Sequence, residues 1–142
     1  MRMVLDTNVL VSALIKPGGL PDQLLQHWEF EEFTLVTSAE QLDELERVLK
    51  YEKLSRFIQP DQARQLVESL RTAAAVALSL PPVTASTDTS DNAILATAMA
   101  GNASHLVTGD RSHLLSLKKV DRVLIVSVRE AINLLRSQPR GN

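Results

Sequence analysis

The chain contains no cysteine. Disulfides, thiolate nucleophiles and sulfur-bound zinc are therefore excluded, and a cytoplasmic setting is favoured over a secreted one. Histidine is scarce: His27, His105 and His113 are scattered, with no metal-ligand spacing among them. Aromatic residues make up only 4%, so no stacking platform for nucleic-acid bases can be read from the sequence. No apolar run approaches a membrane span, and the N-terminus is neither long nor apolar enough for a signal peptide, so no membrane partner is expected. No Gly-x-Gly-x-x-Gly follows a strand, which argues against a nicotinamide dehydrogenase.

What is present fits one globular domain. The 142 residues are 44% hydrophobic and 23% charged, enough to bury a real core and ordinary for a folded chain. We expect a single domain over residues 1–136 and a disordered tail over residues 137–142. The net charge of −2 is unevenly spread. From His105 onward Arg111, Lys118, Lys119, Arg122, Arg129, Arg136 and Arg140 outnumber Asp110, Asp121 and Glu130. A basic last third on an acidic body suits a polyanion, and it equally suits an ordinary solvated surface.

Strand-like and helical patterns alternate, pointing to an α/β fold with a mostly parallel sheet. Residues 2–5 read as a strand and residues 8–16 as a helix stopped by Pro17-Gly18-Gly19. A second helix carries Leu24, Leu25, Trp28 and Phe30 on its buried side. Residues 33–37 read as a strand, after which Ser38 and Gln41 spell a capping box. A long helix is expected over residues 61–77 and an edge strand over 78–83, where Pro81-Pro82 argues against a central position. Residues 87–101 read as a small-residue helix, residues 105–108 as a strand and residues 122–128 as the last strand. Ser127 and Glu130 give a second capping box for a final helix reaching about Leu135.

Acids fall at telling places on this map. Asp6 ends the first strand, Asp110 follows the strand at 105–108, and Asp88 and Asp91 open a helix, where the backbone dipole favours negative charge. Glu44 lies on the helix after the second strand. In a parallel sheet such strand ends share one edge, where ligands bind. Each acid also has an ordinary reading: Asp6 and Asp88 as helix caps, Glu44 as a surface acid beside Arg47 or Lys50, Asp110 as a turn residue. Together they make a different case. Clustered carboxylates repel strongly without a cation, and hard oxygen ligands suit Mg²⁺ or Mn²⁺.

At this point the sequence resembles the PIN-domain nucleases, in particular the compact prokaryotic, VapC-like group described as toxins of toxin–antitoxin pairs. The matching pieces are Val4-Leu5-Asp6-Thr7-Asn8-Val9-Leu10, Thr37-Ser38 leading to Glu44-Leu45-Glu46-Arg47-Val48-Leu49, Asp88-Thr89-Ser90-Asp91-Asn92, and Leu106-Val107-Thr108-Gly109-Asp110. The resemblance implies an α/β/α sandwich and a Mg²⁺- or Mn²⁺-dependent ribonuclease. It places Asp6, Glu44, Asp91 and Asp110 on the catalytic quartet, with Asp6, Asp91 and Asp110 holding metal. Asn8, Thr108 and Asp88 fall on supporting positions. Where relatives often carry a second acid or amide after the last motif this chain has Ser112, a weaker ligand, so one ion is expected. Arg111, Lys118 and Lys119 are the expected contacts to RNA, and a homodimer and a small antitoxin are the implied protein partners.

Other readings fit less well. A haloacid-dehalogenase-type phosphatase needs an acid where this chain has Asn8, and a phospho-acceptor receiver domain leaves Asp91 and Asp110 unexplained. A PIN fold that binds RNA or protein with little catalysis is the main alternative, kept open by Ser112 and the acidic balance.

Overall fold

Strand residues that alternate between two buried faces set the architecture. The computed structural model describes residues 1–109 and 112–138. The chain opens with β1 (Arg2–Leu5), α1 (Thr7–Ile15) and α2 (Leu20–Glu29). It continues through β2 (Thr34–Ser38), α3 (Ala39–Leu49), a 3-10 turn (Glu52–Leu54), α4 (Pro60–Ala73) and β3 (Ala75–Ala77). Then come α5 (Thr89–Ala100), β4 (His105–Thr108), α6 (Leu114–Leu117), β5 (Lys119–Val120), β6 (Val123–Ser127) and α7 (Val128–Ser137).

The six strands lie in the order β3-β2-β1-β4-β6-β5. All neighbours pair in parallel except β5, which runs antiparallel to β6. Successive strand side chains point to opposite faces. Met3 and Leu5 join Leu35, Val107 and Val126 in a core with Leu10, Leu24, Leu45, Leu70 and Ile132 from the helices on one side. Val4, Val36, Leu106 and Ile125 face the other way, against Ile94, Leu95 and Ala98 of α5 and Leu114 of α6. The result is the expected three-layer α/β/α sandwich with a mostly parallel sheet. A Cβ on Gly101, just past α5, would run into the Val36 side chain, so only glycine lets α5 end this close to β2. Among the described residues no helix is long and apolar enough to cross a membrane.

Several expectations change. The helix expected over 61–77 ends at Ala73, and Ala75–Ala77 is instead the edge strand β3, paired with β2 from Val36↔Ala75 to Ser38↔Ala77. Alanine favours helix locally, but sheet pairing overrides that weak preference. The edge strand therefore lies before residues 78–83. Phe30 is 77% exposed, because α2 ends at Glu29 and leaves it beyond the last buried turn. The short elements α6 and β5 were not foreseen. The Ser127–Glu130 capping box forms in full, and α7 runs on to Ser137. Residues 139–142 of the expected tail lie outside the described residues.

Candidate active site

The strand order reverses at β1: the chain builds outward through β2 and β3, then returns to place β4 on the other side of β1. A crevice is expected at the carboxyl ends of β1 and β4. Asp6 stands there. Its N–H donates to the Val107 carbonyl (2.8 Å), and its own carbonyl accepts from Val9 N–H (2.9 Å) and Leu10 N–H (3.2 Å). The backbone thus caps α1, while the side chain makes no capping bond. Instead the fully buried Thr108 donates its hydroxyl to the Asp6 carboxylate at 2.8 Å. Burial pushes the Asp6 carboxyl above the ordinary carboxylate range. The Thr108 bond works against this, the negative charges of Glu44 and Asp91 add to it, and a Thr7 backbone bond opposes it slightly.

Asp91 reaches the same place from the first turn of α5. Asn92 clamps the preceding loop through both ends of its amide, accepting from Ser86 N–H (2.8 Å) and donating to the Ser86 carbonyl (2.8 Å). The Ser86 hydroxyl then accepts from Asp88 N–H (3.1 Å) and donates to the Asp91 carboxylate (3.2 Å). Asp88 caps the helix: its carboxylate accepts from the hydroxyl (2.7 Å) and N–H (2.9 Å) of Ser90. Those two bonds hold the exposed Asp88 carboxyl below its ordinary value.

Glu44 is placed by a buried polar network one turn away. Ser38 accepts from Gln41 N–H (3.2 Å), as the capping-box pattern predicts. The Gln41 side chain does not return to Ser38. It donates instead to the Leu5 carbonyl (2.6 Å), immediately before Asp6, and accepts from the Thr37 hydroxyl (2.7 Å). The Ser38 hydroxyl also meets that of Thr97 (2.8 Å), tying α3 to α5. A backbone carbonyl in the core is a stronger claim on this amide than a cap near the surface, because an unpaired buried carbonyl is costly. Among the described residues Glu44 forms no ion pair with Arg47 or Lys50; Glu46 pairs with Arg71 instead.

A cleft of about 590 Å³ gathers Asp6, Asn8, Glu44, Asp88, Asp91, Thr108 and Ser112. Lys118 and Lys119 do not line it: Lys118 ends α6 and Lys119 lies in β5. Asp110 and Arg111 lie outside the described residues. Glu40, Arg47, Tyr51 and His113 line the cleft without having been foreseen. Nor were Ser86, Gln41, Thr97 and Asn92 foreseen as supports; only the capping pattern at Ser38 drew attention to one of them.

Among the described residues no three acidic or histidine side chains already stand together as a ready metal cage. The donor chemistry nevertheless fits a hard divalent cation. Asp6, Glu44 and Asp91 line one cleft, Asp6 is held toward its neutral form by burial and by the charges of the other two, and the buried Thr7 hydroxyl beside it has no partner among the described residues. A cation there would offset each of these costs.

Comparison with known proteins is consistent with this geometry. Residues 2–112 match the family described as PIN domain. The chain is also similar to an uncharacterized protein, MJ1680, of Methanocaldococcus jannaschii, at 28% identity over 130 residues, covering 89% of this chain and 81% of the relative.

Proposed function

The chain belongs to the PIN-domain family, which has a nuclease-type fold, and we propose that it hydrolyses RNA phosphodiester bonds endonucleolytically with Mg²⁺ or Mn²⁺. The observation that carries this reading is the cleft at the end of β1, which Asp6, Glu44 and Asp91 line together and where the Thr108 hydroxyl holds the Asp6 carboxylate at 2.8 Å. Asp6, Asp91 and Asp110 would hold the cation, and Glu44 would shape the site from α3. Such a cation, when bound, activates water and offsets charge on a scissile phosphate.

The residues themselves supply positioning. Thr108 orients the Asp6 carboxylate, Ser86 orients that of Asp91, and Gln41 fixes the backbone immediately before Asp6. Asn8, Asp88 and Ser112 line the cleft around them. Arg111, Lys118 and Lys119 are proposed contacts to more distant phosphates. In the cell we propose a cytoplasmic homodimer, acting as the toxin of a pair whose small antitoxin covers the cleft.

The test is a divalent-dependent cleavage assay on RNA, comparing wild type with Asp6→Asn. Cleavage that requires Mg²⁺ or Mn²⁺ and is lost in the variant supports the reading; equal cleavage by both overturns it. Ser112, a hydroxyl where a carboxylate would bind a second ion, favours one further reading, a PIN fold that binds without cutting. Calorimetric titration with Mn²⁺ separates the two, since a binding-only module has no need of metal at this edge.

A further inference from the structure

The chain has five aromatic side chains, and two of them are spent on the surface beside the cleft. Tyr51 is 43% exposed and Phe57 60% exposed. They bracket the 3-10 turn after α3. Leu54 N–H donates to the Tyr51 carbonyl (3.0 Å), Ser55 N–H to the Glu52 carbonyl (3.1 Å) and Phe57 N–H to the Leu54 carbonyl (3.0 Å). Ile58 is buried and Leu54 half-buried beneath the turn. The segment is thus held from below by aliphatic side chains while its aromatic ones face out. A surface aromatic gains little from folding, since its apolar area stays in water.

The charge here is also distinct. Within an otherwise acidic first two-thirds of the chain, Lys50, Lys53 and Arg56 stand against Glu52 alone. Lys53 lies 6.0 Å from the centre of the Tyr51 ring. Tyr51, Lys53, Arg56 and Phe57 line an open groove with Ser55 and a single acid, Glu52, and Tyr51 also lines the acidic cleft. The two depressions therefore share a wall. Flat rings set among cations are what a single strand needs: bases stack on the rings while its phosphates meet the cations. A duplex keeps its bases stacked on each other and cannot use such rings.

We infer that Tyr51, Lys53, Arg56 and Phe57 form a docking track for single-stranded RNA that leads into the acidic cleft at Tyr51. The ligand class rests on the ribonuclease reading, but binding at the track is measurable without catalysis. The track grips the strand outside the acids, so it offsets the repulsion a polyanion meets on approaching Asp6, Glu44 and Asp91.

The test is fluorescence anisotropy in EDTA with a labelled oligouridylate of about 12 nucleotides, with the same-length duplex for comparison. The double variant Tyr51→Ala, Phe57→Ala should bind the single strand at least about tenfold more weakly, and Phe57→Trp should retain affinity. The double variant Lys53→Gln, Arg56→Gln should flatten the slope of log affinity against log salt by roughly 1.4, for two phosphate contacts. All four side chains are exposed, and thermal unfolding checks that the variants fold.

Affinities equal to wild type in both double variants overturn the track. So does an alanine variant that keeps its RNA affinity but changes from dimer to monomer on sedimentation, since the aromatics then serve a protein interface. A protein that binds through the track yet cleaves nothing with Mn²⁺ sinks the nuclease reading alone. One that cleaves, with the track variants binding normally, sinks the track alone.

Discussion

Among the described residues two helices have an aspartate at the N-cap, and they treat it in opposite ways. At α1 the backbone of Asp6 performs the capping, and the carboxylate is turned across the sheet to Thr108. At α5 the Asp88 carboxylate is itself the cap, and it is Asp91, three residues on, that faces the other acids. Burial raises the Asp6 carboxyl, whereas the Ser90 bonds lower that of Asp88. An acid before a helix is therefore no guide to its role. What separates the two is that one mouth opens at a buried strand end, where the carboxylate meets Thr108, and the other from an exposed loop, where the carboxylate meets Ser90.

The largest effect should come from removing the charge at the first mouth alone. Asp6→Asn should lower metal-dependent RNA cleavage by at least about a hundredfold, since a ligand is lost where transition-state charge is offset. The same variant should melt higher than wild type in EDTA, because it removes an uncompensated charge. Asp88→Asn should leave cleavage within about tenfold, since asparagine also caps. Cleavage and melting curves on both variants check this, and equal losses would erase the distinction.

A second, smaller effect isolates the support beneath the first mouth. Gln41→Leu removes two buried hydrogen bonds, to the Leu5 carbonyl and from the Thr37 hydroxyl, at a cost of roughly 1–3 kcal/mol. Denaturant unfolding reads the loss, and cleavage should fall with it because Leu5 precedes Asp6. The counterpart at the second mouth is milder. Asp88→Ala should destabilise less than Gln41→Leu, because an exposed cap can be replaced in part by water.

How much of this was legible follows the range of the interactions. β1, β4 and the Ser127–Glu130 box were readable because each is decided by a few adjacent residues. That Asp6, Asp88 and Asp91 would line one cleft was readable because strand ends and the helices that follow them share an edge in a parallel sheet. Ala75–Ala77 was not, since its strand state comes from pairing with β2, against the local preference of alanine. Gln41 was noticed for a local cap, but its side chain is claimed by the Leu5 carbonyl, 36 positions away. Phe30, Tyr51 and Phe57 were hidden for a similar reason: an aromatic residue in sequence does not say which side of its element meets solvent. Asp110, central to the expected quartet, lies outside the described residues, so its part in the site rests on the family motif.

The smallest difference between the two mouths is in their pH dependence in metal-free protein. Asp6 has a folded value above its unfolded one, near roughly 3.9. The stability it contributes is therefore present below that pH and lost as pH rises through the folded value. Asp88 has a folded value below its unfolded one, so its contribution is present above about pH 3.9 and lost as pH falls through the folded value. Melting temperatures in EDTA should then show Asp6→Asn gaining on wild type as pH rises. Asp88→Asn should fall behind wild type over the same rise. The magnitudes will be small, but the signs are opposite, and curves tilting the same way would mean that one electrostatic environment governs both mouths.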